Sequence, residues 1–343
     1  MTDSFSGSDS GSGVVQVLRA QRLGTLTAIL TLSLLVLFSA AGDGGRGSSA
    51  AAATGFLQAP AGRYPPTPAL KAEAYLVRLA PLETTFLKGL ARDPAPIMAQ
   101  RAWKPVAPAS LTKIMTALVA REILKPNESI VFSSEAKAVE ERTSDVGAGE
   151  VLTRDSVVQL ALVSSANDAA LALAEAAGER MGGGSFAERI GLFVRRMNER
   201  ARELGMMSAH FENPVGLDAP GQEISAQDLA RMAEEILARD PDIFAITRMS
   251  EARAVSAQGK AYAMAATNEL LGEFPALAGG KTGMTDEAQG ALLLLYPVNR
   301  DRTAIIVILK SEDRFGDGRS IIKWLEANCL ASRGDSGERP CEP

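Results

Sequence analysis

The sequence predicts an α+β fold, an antiparallel sheet flanked by helices, with strands drawn from both ends of the domain around a mainly helical middle. Ala72–Leu79 reads Ala-Glu-Ala-Tyr-Leu-Val-Arg-Leu, aliphatic and aromatic enough for a strand. Far along the chain, Ala291–Tyr296 and Thr303–Leu309 are short apolar runs, and Pro297–Arg302 between them has the character of a hairpin loop. The intervening residues repeat their apolar side chains at helical spacing.

Residues 1–22 are expected to be a disordered cytoplasmic N-terminus, since residues 1–13 are dominated by Ser, Gly and Asp. Leu23–Ala41 is apolar and uncharged, close to the ~20 residues that cross a bilayer. It is a transmembrane anchor or the h-region of a signal peptide, with Ser39-Ala40-Ala41 as a small-residue cleavage site. The long stretch before it favours the anchor, and Arg19 and Arg22 place the N-terminus inside. Residues 42–69, rich in Gly, Ser, Ala and Pro, form a linker.

The domain proper is expected over residues 70–330. After the first strand, short extended segments run to Ala99. Pro105 and Pro108 then precede a buried helix beginning near Ser110, with Leu111, Ile114, Met115, Leu118, Val119 and Ile123 on its apolar stripe and Pro126 ending it. Thr153 is suited to cap a helix through Leu160, and Ser164–Asn167 interrupts it before a second helix to about Ala177. Ser185 and Glu188 make a capping box for a helix that stops at Gly205. Ser225 caps another, ending near Asp240-Pro241, and a last helix is expected over Ser320–Asn328. Residues 331–343 form a disordered tail without core residues.

At 343 residues, with 46% hydrophobic and 22% charged residues, the chain has an ordinary globular composition. A formal net charge of −5 and the lack of a Lys/Arg cluster argue against nucleic-acid binding. Cys329 and Cys341 are too few for a structural zinc site, and either a late disulfide or two thiols fits them.

Three patterns carry the chemistry: Ser110-Leu-Thr-Lys113, Ser165-Ala-Asn167 and Lys281-Thr-Gly283. Residues three apart on a helix share a face, so the Lys113 amine can approach the Ser110 hydroxyl. A helix N-terminus also offers free N–H groups to a developing oxyanion. A lysine serves as base only if burial and a neighbouring cation disfavour its ammonium form, and Lys281 is the candidate cation. Ser165 could relay a proton and Asn167 hold a carbonyl, although either could simply cap a helix. Lys281 and Thr282 could bind a carboxylate, with Gly283 admitting close backbone approach. The single histidine, His210, is expected in a packed or capping position, far from any Gly-x-Ser-x-Gly elbow.

In this order the motifs resemble those of the serine penicillin-recognising enzymes, and more narrowly those of the D-alanyl-D-alanine carboxypeptidases, the low-molecular-mass penicillin-binding proteins. Pro108–Ala117, Ser165–Ala170, Phe211-Glu-Asn-Pro-Val-Gly-Leu-Asp218 and Gly279–Asp286 all lie close to the family pattern, and the likeness covers about residues 70–330. It implies the β-lactamase/transpeptidase-like fold and a serine-type carboxypeptidase that removes the terminal D-alanine of peptidoglycan pentapeptide stems in cell-wall biosynthesis and remodelling. Ser110 would attack, Lys113 would take its proton, and Ser165 and Asn167 would line the cleft. Lys281, Thr282 and Gly283 would receive the terminal carboxylate, and the backbone N–H groups of Ser110 and Met284 would hold the oxyanion. The resemblance implies no metal and no cofactor. It makes stem peptides the substrate, β-lactam antibiotics covalent inhibitors and the bacterial membrane the attachment, through the N-terminal span. The domain would then stand on the extracytoplasmic side, or be secreted or periplasmic if that segment is cleaved.

Some positions depart from the family. A histidine followed by Ser or Thr is usual after Gly216-Leu-Asp218, where Gln222-Glu-Ile-Ser225 stands, and Glu269 replaces a common basic residue before Leu270-Leu271. Arg314 lies in the right region to help bind a carboxylate or is a surface residue. A class A β-lactamase would carry Ser-Asp-Asn and a Glu-x-x-Leu-Asn segment, and neither occurs. A non-catalytic wall-binding protein is the remaining class, while endopeptidase and transpeptidase outcomes share the same acyl-enzyme and stay open.

Overall fold

Strand pairing joins the two ends of the domain. The computed structural model describes residues 66–81, 95–141, 143–300 and 302–330. The N-terminal apolar run, the linker up to residue 65 and the C-terminal tail lie outside the described residues. Among the described residues no helix is long and apolar enough to cross a membrane.

In chain order the elements are β1 (Ala72–Pro81), β2 (Met98–Gln100), a 3₁₀ turn (Ala109–Leu111) and α1 (Thr112–Ile123). Next come β3 (Ser129–Val131), α2 (Ser134–Lys137), β4 (Val151–Thr153), α3 (Arg154–Val163), α4 (Asn167–Arg180), α5 (Phe186–Glu203), α6 (Ala226–Arg239) and α7 (Asp242–Ile246). The chain continues with β5 (Glu251–Val255), β6 (Ala261–Ala265), α8 (Leu270–Glu273), β7 (Gly279–Thr285), β8 (Gln289–Pro297), β9 (Arg302–Ser311) and α9 (Arg314–Leu325), followed by a π turn (Glu326–Leu330).

The main sheet has the order β2-β1-β9-β8-β7, and each neighbouring pair is antiparallel. Its strands therefore come from both ends of the domain, as the apolar runs predicted. Alternation assigns the faces. Ala74, Leu76, Leu293, Leu295, Ile305 and Val307 face the helical core, whereas Tyr75, Val77, Leu292, Leu294, Ile306 and Ile308 face α9. Burial on both faces explains why β8 and β9 are continuous apolar runs rather than alternating ones.

Helix starts follow side-chain caps. Thr153 Oγ1 accepts from Ser156 N–H at 3.3 Å, Ser225 Oγ accepts from Asp228 N–H at 3.1 Å, and Ser185 with Glu188 forms the full capping box. The last helix begins earlier than expected, at Arg314, because Asp313 caps it by accepting from Gly316 N–H at 2.9 Å. Gly316 and Gly318 weaken its sequence signal. A side chain at Gly318 would press on the ends of the Leu270 and Leu292 side chains at 3.0 Å, so the glycine suits the close packing of helix on sheet. The β5–β6 hairpin was not foreseen. His210 is not packed: its side chain is half exposed, with Nε2 2.9 Å from Glu212 Oε1. Cys329 is disulfide-bonded, and Cys341 lies outside the described residues.

Candidate active site

Ser110 sits in the middle of the 3₁₀ turn that leads into α1. The turn is tight because Leu111 N–H donates to Pro108 O at 3.2 Å, and Ala109 takes a left-handed backbone with φ +48°. That conformation costs a non-glycine residue about 1–2 kcal/mol. The surroundings impose it. Ala109 is fully buried, and Gly216 and Gly283 approach it so closely that a Cβ at either would collide with it.

Helical spacing brings Lys113 to the same face, with Nζ 2.9 Å from Ser110 Oγ. Lys113 is completely buried, on the core side of a half-buried Ser110. Nζ also lies 2.7 Å from Asn167 Oδ1 and 2.6 Å from the Val215 carbonyl oxygen. These three oxygens hold Nζ in place beside the Ser110 hydroxyl. Asn167 is the first residue of α4 rather than its cap, which is Ala166. Its amide spans the cleft instead, with Nδ2 donating to the Glu140 carbonyl at 3.1 Å.

Ser165 lies in the break between α3 and α4, in a left-handed conformation with φ +64°. It is a second non-glycine residue held in a strained conformation at this site. Its hydroxyl accepts from Lys281 Nζ at 2.8 Å. Lys281 lies within β7, not in a turn, and is 1% exposed. Its Nζ also donates to the Thr282 carbonyl at 2.8 Å. Thr282 Oγ1 pairs with Thr267 Oγ1 at 2.6 Å. β7 forms an edge of the sheet, so beyond it the order offers no further strand. Gly283 lets that strand close on the Ser110 turn: an added Cβ would stand 3.0 Å from Ser110 N. Met284, next along, is 62% exposed. All eight residues singled out in the sequence therefore lie along two contiguous walls, α1 with the α3–α4 break and β7.

The sequence reading gave no role to the Asn213–Gly216 turn. Asn213 Oδ1 accepts from Val215 and Gly216 N–H at 3.2 and 2.7 Å, which aims the Val215 carbonyl at Lys113. Gln222, in the stretch that departs from the family, braces the same turn through Glu212 N–H, Asn213 N–H and the Leu217 carbonyl. The Asn-Pro-Val-Gly turn chemistry was the available signal. Arg314 stacks its guanidinium 4.5 Å from the Phe315 ring centre, at the start of α9. Among the described residues no group of three His, Cys, Asp or Glu side chains could hold a metal ion.

A family model described as D-alanyl-D-alanine carboxypeptidase matches residues 96–313. The D-alanyl-D-alanine carboxypeptidase DacF of Bacillus subtilis is 35% identical over 193 residues, 54% of this chain and 47% of that protein. DacD of Escherichia coli is 30% identical over 239 residues, 64% of this chain and 57% of that one. The chain thus spans about half the length of these curated relatives. The crystal structure of a D-alanyl-D-alanine carboxypeptidase from Mycobacterium tuberculosis superposes with a TM-score of 0.65 at 26% identity, covering 80% of this chain and 98% of that one.

Proposed function

Because the chain belongs to the D-alanyl-D-alanine carboxypeptidase family, we propose that it is a serine hydrolase that removes the terminal D-alanine from peptidoglycan pentapeptide stems. The observation that carries this reading is the placement of Lys113: its Nζ is buried 2.9 Å from Ser110 Oγ and is held there by Asn167 Oδ1 and the Val215 carbonyl oxygen, close enough to exchange a proton with the hydroxyl.

The substrate lies along β7, its terminal carboxylate against Lys281 and Thr282, its backbone drawn in by the missing side chain of Gly283. Ser110 Oγ attacks the carbonyl carbon between the two D-alanines, and its proton passes to Lys113 Nζ. The N–H groups of Ser110 and Met284 receive the oxyanion. When the tetrahedral species collapses, the C–N bond breaks, and the proton held by Lys113 passes to the departing amine with the Ser165 hydroxyl as relay. Water then attacks the ester and gives a proton to Lys113. The Ser110 alkoxide takes that proton back as the tetrapeptide leaves. A β-lactam follows the same first step, and its opened ring stays on Ser110. The N-terminal apolar run Leu23–Ala41 would tether the domain on the extracytoplasmic side of the membrane.

The test is to incubate the protein with pentapeptide muropeptides and follow mass. Loss of one alanine is expected from wild type and not from Ser110→Ala. Retained activity in Ser110→Ala would overturn the mechanism, and cleavage of cross-links alone would replace the carboxypeptidase by an endopeptidase.

A further inference from the structure

Just after Asn167 lies a buried carboxylate that this chemistry does not use. Asp168 is 0% exposed and sits in the first turn of α4. Its Oδ1 accepts from the N–H groups of Ser144 and Ala169, each at 2.9 Å. Its Oδ2 accepts from Ser144 N–H at 3.0 Å and from Ser144 Oγ at 2.7 Å. Lys137, at the end of α2, forms an ion pair with Oδ2 and donates to the Ser144 carbonyl at 2.8 Å. One carboxylate therefore fastens both ends of the segment from Lys137 to Ser144 to the start of α4.

Glu140 lies inside that segment, and its carbonyl is the acceptor for Asn167 Nδ2 at 3.1 Å. A side-chain amide has a donor end and an acceptor end of almost equal size, and only its partners decide which way it points. With the Glu140 carbonyl held in place, Nδ2 is committed outward and Oδ1 faces Lys113 at 2.7 Å. A reversed amide would aim an N–H at the lysine lone pair, the pair that has to take the proton of Ser110.

We infer that Asp168, clamped by Lys137 and Ser144, is a positioning residue that fixes the polarity of the Asn167 amide through the Glu140 carbonyl and so keeps the Lys113 lone pair available. The inference rests on the Ser110–Lys113 reading above. Loss of the clamp lets the amide turn over. Lys113 then loses an acceptor for its ammonium form and gains a donor on its lone pair, so proton transfer slows and the acid limb of the rate profile moves to lower pH. Lys281, on β7, faces the same cleft through its bond to Ser165, and none of the variants below alters either residue.

The test uses acylation of the full chain by a fluorescent penicillin, measured as rate constant and burst amplitude across pH, for wild type, Asp168→Asn, Lys137→Met and Ser144→Ala. General-base contributions run to about 10²–10⁴-fold, so a base partly occupied by the amide should acylate about tenfold more slowly in Asp168→Asn. Ser144→Ala keeps the ion pair and should fall between that variant and wild type. The expected pattern is a lower rate constant with a displaced acid limb and a near-unit amplitude. A change confined to amplitude, with the rate constant and limb of wild type, would mean that the cluster only supports the fold and would overturn the inference. Should Asp168→Asn fail to fold, Lys137→Met and Ser144→Ala decide the matter by the same two readouts. Wild-type protein that penicillin does not acylate would instead bring down the Ser110 reading.

Discussion

Gly216→Ala should be the most damaging one-methyl change near Ser110, although Gly216 touches neither Ser110 nor Lys113 by side chain. Its backbone has φ +88°, which an alanine adopts at a cost of about 1–2 kcal/mol. An added Cβ would fall well inside contact with the Ala109 carbonyl oxygen and 2.9 Å from Thr112 Oγ1. Ala109 is fully buried and its turn is pinned, so the clash has two outlets. Either the Ser110 turn moves, or the Asn213–Gly216 turn moves and takes with it the Val215 carbonyl that holds Lys113 at 2.6 Å. Relief requires a shift of about 1 Å, and a misplacement of that size costs about 10²-fold in rate.

Gly259→Ala is the control: φ is +83°, but nothing lies within 4 Å of the new methyl. Both variants should lose a few degrees of Tm, since 1 kcal/mol is worth about 2–4 °C in a domain of this size. Only Gly216→Ala should also lose acylation rate with a fluorescent penicillin, by about 100-fold. Gly283→Ala, whose Cβ would stand 2.9 Å from Ala109 Cβ and 3.0 Å from Ser110 N, should fall between them. Equal acylation rates in Gly216→Ala and Gly259→Ala would refute the packing account of how Ser110 is placed.

Lys281→Met removes the buried cation beside Ser165, and a charge-assisted hydrogen bond is worth about 1.5–3 kcal/mol. The kcat/KM for a D-alanyl-D-alanine peptide should drop at least tenfold, while a C-terminally amidated peptide should be affected far less; a variant that still prefers the free carboxylate would exclude Lys281 from carboxylate binding. Acid should destabilise the fold through Glu203 and Glu273, held below the ordinary carboxyl value of 4.5 by hydrogen bonds from Arg196 and Arg319. Because the folded values are depressed, their contribution is complete above the ordinary value and is lost as pH falls through the folded one. These carboxylates are at the surface, so the expected loss is small. Tm measured from neutral pH downward should fall below about pH 4.5, less steeply in a Glu203→Gln/Glu273→Gln variant, and an unchanged slope would discount both pairs.

Much of this arrangement was legible because side-chain chemistry repeats at fixed spacing. Ser110 and Lys113 share a helix face, Ser185 and Glu188 cap reciprocally, and the runs in β8 and β9 are apolar because both of their faces are buried. What escaped was carried by the backbone or by small residues. The Val215 and Glu140 carbonyls have no residue-type signature: the Asn-Pro-Val-Gly turn announces a turn but not its approach to Lys113, and nothing announces the approach of Glu140 to Asn167. The β5–β6 hairpin alternates in burial, but its alternation is built largely from alanine, whose faint contrast hides the period. His210, expected in a packed or capping position, sits instead on an isolated bridge with Glu223, its ring half exposed and paired with Glu212.

The pairing of β1 with β9 also governs when this protein can begin to work. Ala72 lies opposite Ser311, so the sheet cannot close until almost the whole described chain is available. Ser110 and Lys113 ride on the 3₁₀ turn and the helix it leads into, which local contacts can form early, but β7 gains its place only through β8, and β8 through β9. Long-range closure of this kind is slow compared with helix formation. While the chain is still being made, Ser110 and Lys113 would thus stand together without β7 beside them. The two walls of the cleft meet only in the finished domain, so the topology makes completion of the sheet a condition for completion of the site.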